Sequence, residues 1–139
     1  AEELPALLGE NFSLDMDRQA ICGHSMGGHG ALTLAMNIEG RFKSVSAFAP
    51  IANPTDSDWG RKQLTAYLGD DAQTWQKHDA TLLMAEKGFD GPVLIAAAIA
   101  KRRQNATFRM QPGYDHSYFF ISTFMEDHIA FHADALYAD

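Results

Sequence analysis

One cysteine, Cys22, in 139 residues leaves no partner for an internal disulfide and rules out a cysteine-based zinc site. Basic residues are also few. Lys and Arg number 11 against 18 Asp and Glu, a net charge of −7, which argues against nucleic acid or an anionic membrane as the main partner. The longest apolar run, Pro92 to Ala100, stops at Lys101-Arg102-Arg103 and is about half the length of a membrane span. The opening Ala1-Glu2-Glu3-Leu4 is acidic rather than a charged-then-apolar leader. No internal repeat, low-complexity tract or long linker interrupts the chain. These absences point to a reduced, cytoplasmic, soluble protein. The length fits one domain, and 46% hydrophobic with 21% charged residues fits a packed core rather than a disordered segment.

Short apolar runs alternate with longer helical patterns, which is the signature of an α/β protein built on a mostly parallel sheet with helices on its faces. The expected strands are Gln19–Cys22, Lys43–Ala49, Pro92–Ile95 and Thr107–Met110. Helices are expected over 2–10, from the glycine-rich corner at 23 through 36, over 61–68, 72–87 and 97–103, and in a long C-terminal helix with Phe120, Phe124 and Ile129 on its apolar face. Residues 51–60 form a loop in this pattern and Gln111–Asp115 a turn. One junction breaks the rule: Pro92-Val93-Leu94-Ile95 runs into Ala96-Ala97-Ala98-Ile99 with no turn residue. A strand needs connecting residues before an antiparallel helix, so the sequence implies a missing loop between Ile95 and Ala96.

Gly23-His24-Ser25-Met26-Gly27 is a G-x-S-x-G placed after a strand and before a helix, the context in which this motif forms a nucleophile elbow. The serine then sits on a sharp turn, with small residues two before and two after it. The helix starting there supplies free N–H groups and positive potential for a developing oxyanion, the Met26 amide among them. Gly28 and Gly30 would let the helix pack closely on the sheet. The plain alternative is a glycine-rich turn that needs positive φ.

A serine nucleophile needs a base. His116 follows the last strand, where open α/β sheets gather functional groups, and it stands last in chain order, as an α/β-hydrolase histidine does; a loop histidine capping the next helix is the alternative. His24 and His29 flank the elbow, with side chains directed away from the serine hydroxyl. His78 is expected on a solvated helix face. His128 and His132 stand four apart on a helix, a spacing that can bind metal, but no Glu adjoins the first His and a solvated face is the expectation. Cys22 is expected as a small core residue. Trp59, in the loop after the second strand, is a candidate to line a substrate pocket, with plain core equally open.

The acid that orients the base is absent from its expected place. Asp56, Asp58, Asp70, Asp71, Asp79 and Asp90 lie between Ser25 and His116, and none directly follows an expected strand end. Asp115 adjoins His116, and adjacent side chains in an extended turn face apart. The natural position for the acid is after Ile95, where the connecting loop is also absent.

Gly23-His24-Ser25-Met26-Gly27-Gly28-His29-Gly30-Ala31-Leu32, Lys43–Pro50, Trp59-Gly60, Tyr67-Leu68-Gly69, Asp79-Ala80-Thr81 and Gly113–Tyr118 resemble, in order, the S-formylglutathione hydrolase (esterase D) family of α/β-hydrolases. The resemblance spans nearly the whole chain. It implies an α/β-hydrolase fold of which residues 1–139 make a single incomplete domain, with the N-terminal strands and the loop after Ile95 missing. By the same resemblance Ser25 is the nucleophile, His116 the general base and acid, and Met26 N–H part of the oxyanion hole. Ser25 would attack the formyl thioester, glutathione would leave as a thiol, and water would release formate from formyl-Ser25, a route in formaldehyde detoxification that uses no metal or organic cofactor. The implied partner is a small thioester or ester, with pairing into a homodimer left open. A general carboxylesterase on the same scaffold and an inactive truncated hydrolase fragment are the competing readings.

Overall fold

A computed structural model of the chain describes residues 2–96 and 106–138, with Ala106 and Phe108 described by their backbone alone. Four strands, β1 (Gln19–His24), β2 (Phe42–Phe48), β3 (Val93–Ala96) and β4 (Ala106–Phe108), form one sheet in the order β1-β2-β3-β4. Every neighbouring pair is parallel, as expected when a crossover separates successive strands. Around the sheet stand α1 (Glu3–Asn11), α2 (Met26–Asn37), α3 (Asp58–Leu68), α4 (Ala72–Trp75), α5 (Ala80–Glu86) and α6 (Tyr118–Tyr137).

The two-residue period of the strands sorts their side chains between two cores. Val45, Ala47, Val93 and Ile95 face α2 and α5, packing with Ala31, Leu32, Ala35, Met36, Ala80 and Leu83. Phe48 and Ala96 face the other way, against Phe120 of α6, with Phe124 partly buried beside them. Helices therefore cover both faces, as expected.

Several boundaries differ from the sequence expectation for identifiable reasons. β1 runs on through Gly23 and His24 to the elbow itself. β2 and β4 each begin one residue earlier than expected. β3 begins at Val93 and continues through Ala96, which pairs with Phe48, so the strand does not end at Ile95. The expected helix over 97–103 lies outside the described residues. Part of the expected loop 51–60 is helical: Pro54–Asp56 make a 3₁₀ turn and α3 starts at Asp58, capped by the Ser57 hydroxyl accepting from Gly60 N at 3.1 Å. The expected helix 72–87 is broken in two at Asp79, whose carboxylate caps α5 by accepting from Thr81 N at 2.9 Å and Leu82 N at 3.1 Å. Its second oxygen accepts from Thr55 N at 3.0 Å and Thr55 Oγ1 at 2.6 Å, so this fully buried carboxylate is a structural cap. Ile129 is 62% exposed, not aligned with Phe120 and Phe124 on the inner face of α6.

Candidate active site at the strand ends

Ser25 connects β1 to α2 with φ 55° and ψ −113°, a left-handed conformation that a residue with a Cβ adopts only under constraint. The constraint is visible on both sides. Ser25 N donates to Phe48 O at 2.9 Å, and Ser25 O accepts from His29 N at 3.0 Å and Ile51 N at 3.3 Å. The side chain makes no capping hydrogen bond to its own helix, which leaves the hydroxyl available. Met26 N–H opens α2 with no backbone acceptor among the described residues, as the first turn of a helix requires.

The close approach in this corner rests on Gly23. A Cβ there would stand 2.1 Å from Gly27 O and 2.3 Å from Gly27 C. Gly28 is tight as well, its Cβ meeting Gly23 O and Pro50 Cβ at 3.1 Å. The expectations for Gly27 and Gly30 are corrected: nothing lies within 4 Å of a Cβ at either position, so neither is needed for close packing.

His116 lies in the turn between β4 and α6 and is exposed. The preceding turn carries Gly113 at φ 87°. A cleft of about 260 Å³ opens beside His116, lined also by Ala49, Ala96, Tyr114 and Phe120. Ala49, immediately after β2, also holds a positive φ of 39°, a second strained residue at the same sheet edge that nothing in the sequence signalled. The ring of His116 packs against His24, with centroids 4.5 Å apart and planes 38° from parallel. Among the described residues no hydrogen bond joins His116 to Ser25 or to a carboxylate. Burial first, and the proximity of His116 second, push the His24 imidazole below its ordinary range.

The remaining candidates fall elsewhere. Trp59 lies in the first turn of α3, not in a loop, and is 56% exposed, which removes the core reading. His29 Nε2 donates to His78 O at 2.7 Å. His78 is half-buried on a 3₁₀ turn rather than on a solvated helix; burial, Lys77 and His29, in that order, push its pKa down. Cys22 is exposed rather than core, because β1 is the edge strand of this sheet. The largest correction concerns His128 and His132. Instead of a solvated face they form the α6 side of the sheet contact: His128 is buried, and its Nδ1 meets Ser46 Oγ at 2.8 Å. His132 meets Ser46 Oγ through Nε2 and Ser44 Oγ through Nδ1, both at 2.7 Å. Among the described residues no group of three or more His, Cys, Asp or Glu could hold a metal ion, and no helix is long and apolar enough to cross a membrane.

Residues 1–131 match the family model Esterase, described as "Putative esterase". The chain belongs to the esterase family. It is 58% identical to the S-formylglutathione hydrolase of Paracoccus denitrificans over 151 residues, which takes in 96% of this chain and 54% of that protein. It is 46% identical to the S-formylglutathione hydrolase of Arabidopsis thaliana, covering 97% of this chain and 55% of the relative. Among solved structures, that of an S-formylglutathione hydrolase from Agrobacterium tumefaciens superposes with a TM-score of 0.86 at 44% identity, over 98% of this chain and 56% of that one. The fold is therefore that of the α/β-hydrolases, represented in part. The chain spans about half the length of the curated relatives it matches. The Paracoccus match runs over 151 residues, more than the 139 of this whole chain. The relative thus carries residues inside the matched stretch that this chain lacks.

Proposed function

We propose that this chain carries the nucleophile and base of a serine thioesterase that hydrolyses S-formylglutathione to formate and glutathione. The observation that carries the reading is the backbone of Ser25, held at positive φ between β1 and α2 with its hydroxyl free of capping duty. The names of the relatives supply the substrate.

In this reading Ser25 Oγ attacks the formyl carbon while His116 takes its proton, and the tetrahedral oxyanion accepts from Met26 N–H. Collapse breaks the C–S bond and the thiolate leaves with the proton from His116. Water then attacks formyl-Ser25, His116 again accepting and returning a proton, and formate departs. A thiolate is a good leaving group, so the burden falls on nucleophile activation and the oxyanion hole. Trp59, exposed at the head of α3, is the candidate to line the acyl or thiol side. Residues 1–139 form part of one α/β-hydrolase domain, and cytoplasmic location and homodimer formation belong to the same proposal.

The test is turnover of a series of S-acylglutathiones and aryl esters, with Ser25→Ala beside the unaltered chain. Preference for the formyl thioester and loss of turnover in Ser25→Ala support the reading. Preference for aryl esters replaces it with a general carboxylesterase, and undiminished turnover by Ser25→Ala removes the elbow from the chemistry.

A further inference from the structure

His24 Nε2 is buried and is the single buried side-chain nitrogen or oxygen without a hydrogen-bond partner among the described residues. A native structure rarely leaves such an atom unpaired, and a phenylalanine would fill the same space without a nitrogen to desolvate. The atom belongs to the ring that packs against His116 at 4.5 Å. Its neighbourhood follows from the register of the sheet: His24 pairs with Phe48 at the end of the β1–β2 ladder, and Phe48 in turn meets Phe120 edge-on at the start of the helix that His116 precedes.

Among the described residues no carboxylate is hydrogen-bonded to His116 to fill the orienting place of an acid. Asp79 is committed to Thr55, Thr81 and Leu82, Asp58 to Arg61 and Asp127 to Arg109, and residues 97–105 contain no Asp or Glu. We propose that His24 takes that place in this chain: a positioning residue whose Nε2 accepts the hydrogen bond from the His116 ring nitrogen that does not face the serine. The inference rests on the proposed serine-hydrolase chemistry. The proton balance is simple. His24 stays neutral as the Nδ1–H tautomer, His116 takes the Ser25 proton and becomes imidazolium, and in the reacting complex its other N–H donates to His24 Nε2. Burial, and His116 after it, push the His24 pKa down, which favours the uncharged form that an acceptor needs. In the resting structure the rings are tilted by 38°, and bonds of this kind commonly tighten only in the reacting complex.

His24→Phe keeps the ring and removes the nitrogen; His24→Gln removes the ring and keeps an acceptor. Turnover of p-nitrophenyl acetate is expected to fall about tenfold in kcat for His24→Phe with KM unchanged, the effect of one neutral hydrogen bond, and to recover partly in His24→Gln. Imidazole ¹⁵N spectra of His116 give a readout that does not need turnover: one fixed tautomer in the unaltered chain, a mixture in His24→Phe. Unchanged kcat and an unchanged His116 spectrum in folded His24→Phe would overturn the proposal. If the unaltered chain lacks Ser25-dependent turnover, the hydrolase reading fails on its own, and the ¹⁵N spectra still decide whether His24 orients His116.

Discussion

The imidazole of His128 lies flat on the ring of Phe48, with centroids 3.7 Å apart and planes 17° from parallel. Phe48 O accepts the Ser25 amide, so the residue that holds the elbow's backbone is clamped from behind by a buried histidine. His128 and His132 then share the hydroxyls of Ser44 and Ser46, which satisfies buried polar groups that would otherwise oppose docking of α6.

This arrangement makes stability depend on pH. Burial, then His132 and Arg109, lower the His128 pKa from 6.5 to about 4, against a smaller raising effect of Asp127; burial lowers His132 too. Between those pH values the unfolded chain binds more protons than the folded one, so stability is full above about pH 6.5 and falls as the pH drops toward 4. His128 alone accounts for about 3 kcal/mol across that window. Urea melts at a series of pH values should show the midpoint falling through this range, and His128→Asn should flatten the slope. A midpoint independent of pH between 7 and 4.5 contradicts the clamp.

Gly23 and Gly27 are equivalent in the motif and different in the fold. Gly23→Ala drives a Cβ to 2.1 Å from Gly27 O, so it should cost at least about 3 kcal/mol and abolish turnover. Gly27→Ala meets nothing within 4 Å and should be neutral or stabilise α2 by up to about 1 kcal/mol. Thermal melts of the two variants decide it; equal destabilisation would show that the elbow is not packed as described.

Asp79→Ala removes the acceptor of four hydrogen bonds from a fully buried position. A loss of about 3 kcal/mol is expected from the cap and the orphaned Thr55 and Thr81 groups. Turnover per folded molecule should hold. A variant that melts normally but has lost turnover would instead make Asp79 part of the chemistry.

Cys22 is exposed on the edge strand, so the native chain should react with a thiol reagent at the rate of an open cysteine, one equivalent per chain. Reaction only after denaturation would mean that another surface covers β1.

The elements around Ser25 were legible because their signals are local: a strand, two glycines around a serine, and a helix. The place of His116 between the last strand and the last helix was legible for the same reason. What escaped the sequence reading depended on contacts across the fold. The spacing of His128 and His132 was plain, but their burial required the partners Ser44 and Ser46, which alternate with Val45 and Ala47 on β2 and so face α6. That alternation was the available signal. Ser57 and Asp79 are both helix caps in sequence, Ser57 with a proline-containing turn before it and Asp79 directly before Ala80-Thr81, and reading them as caps would have placed α3 and α5 correctly. The exposure of Cys22 follows from the place of β1 at the sheet edge, which no local pattern encodes, and the strain at Ala49 has no sequence signature.

The most direct test of the central claim is covalent labelling with a fluorophosphonate, read by intact mass and peptide mapping. One adduct per chain is expected on Ser25, absent in Ser25→Ala and slowed in His116→Ala. An adduct on another residue, or no adduct on a folded chain, would contradict it.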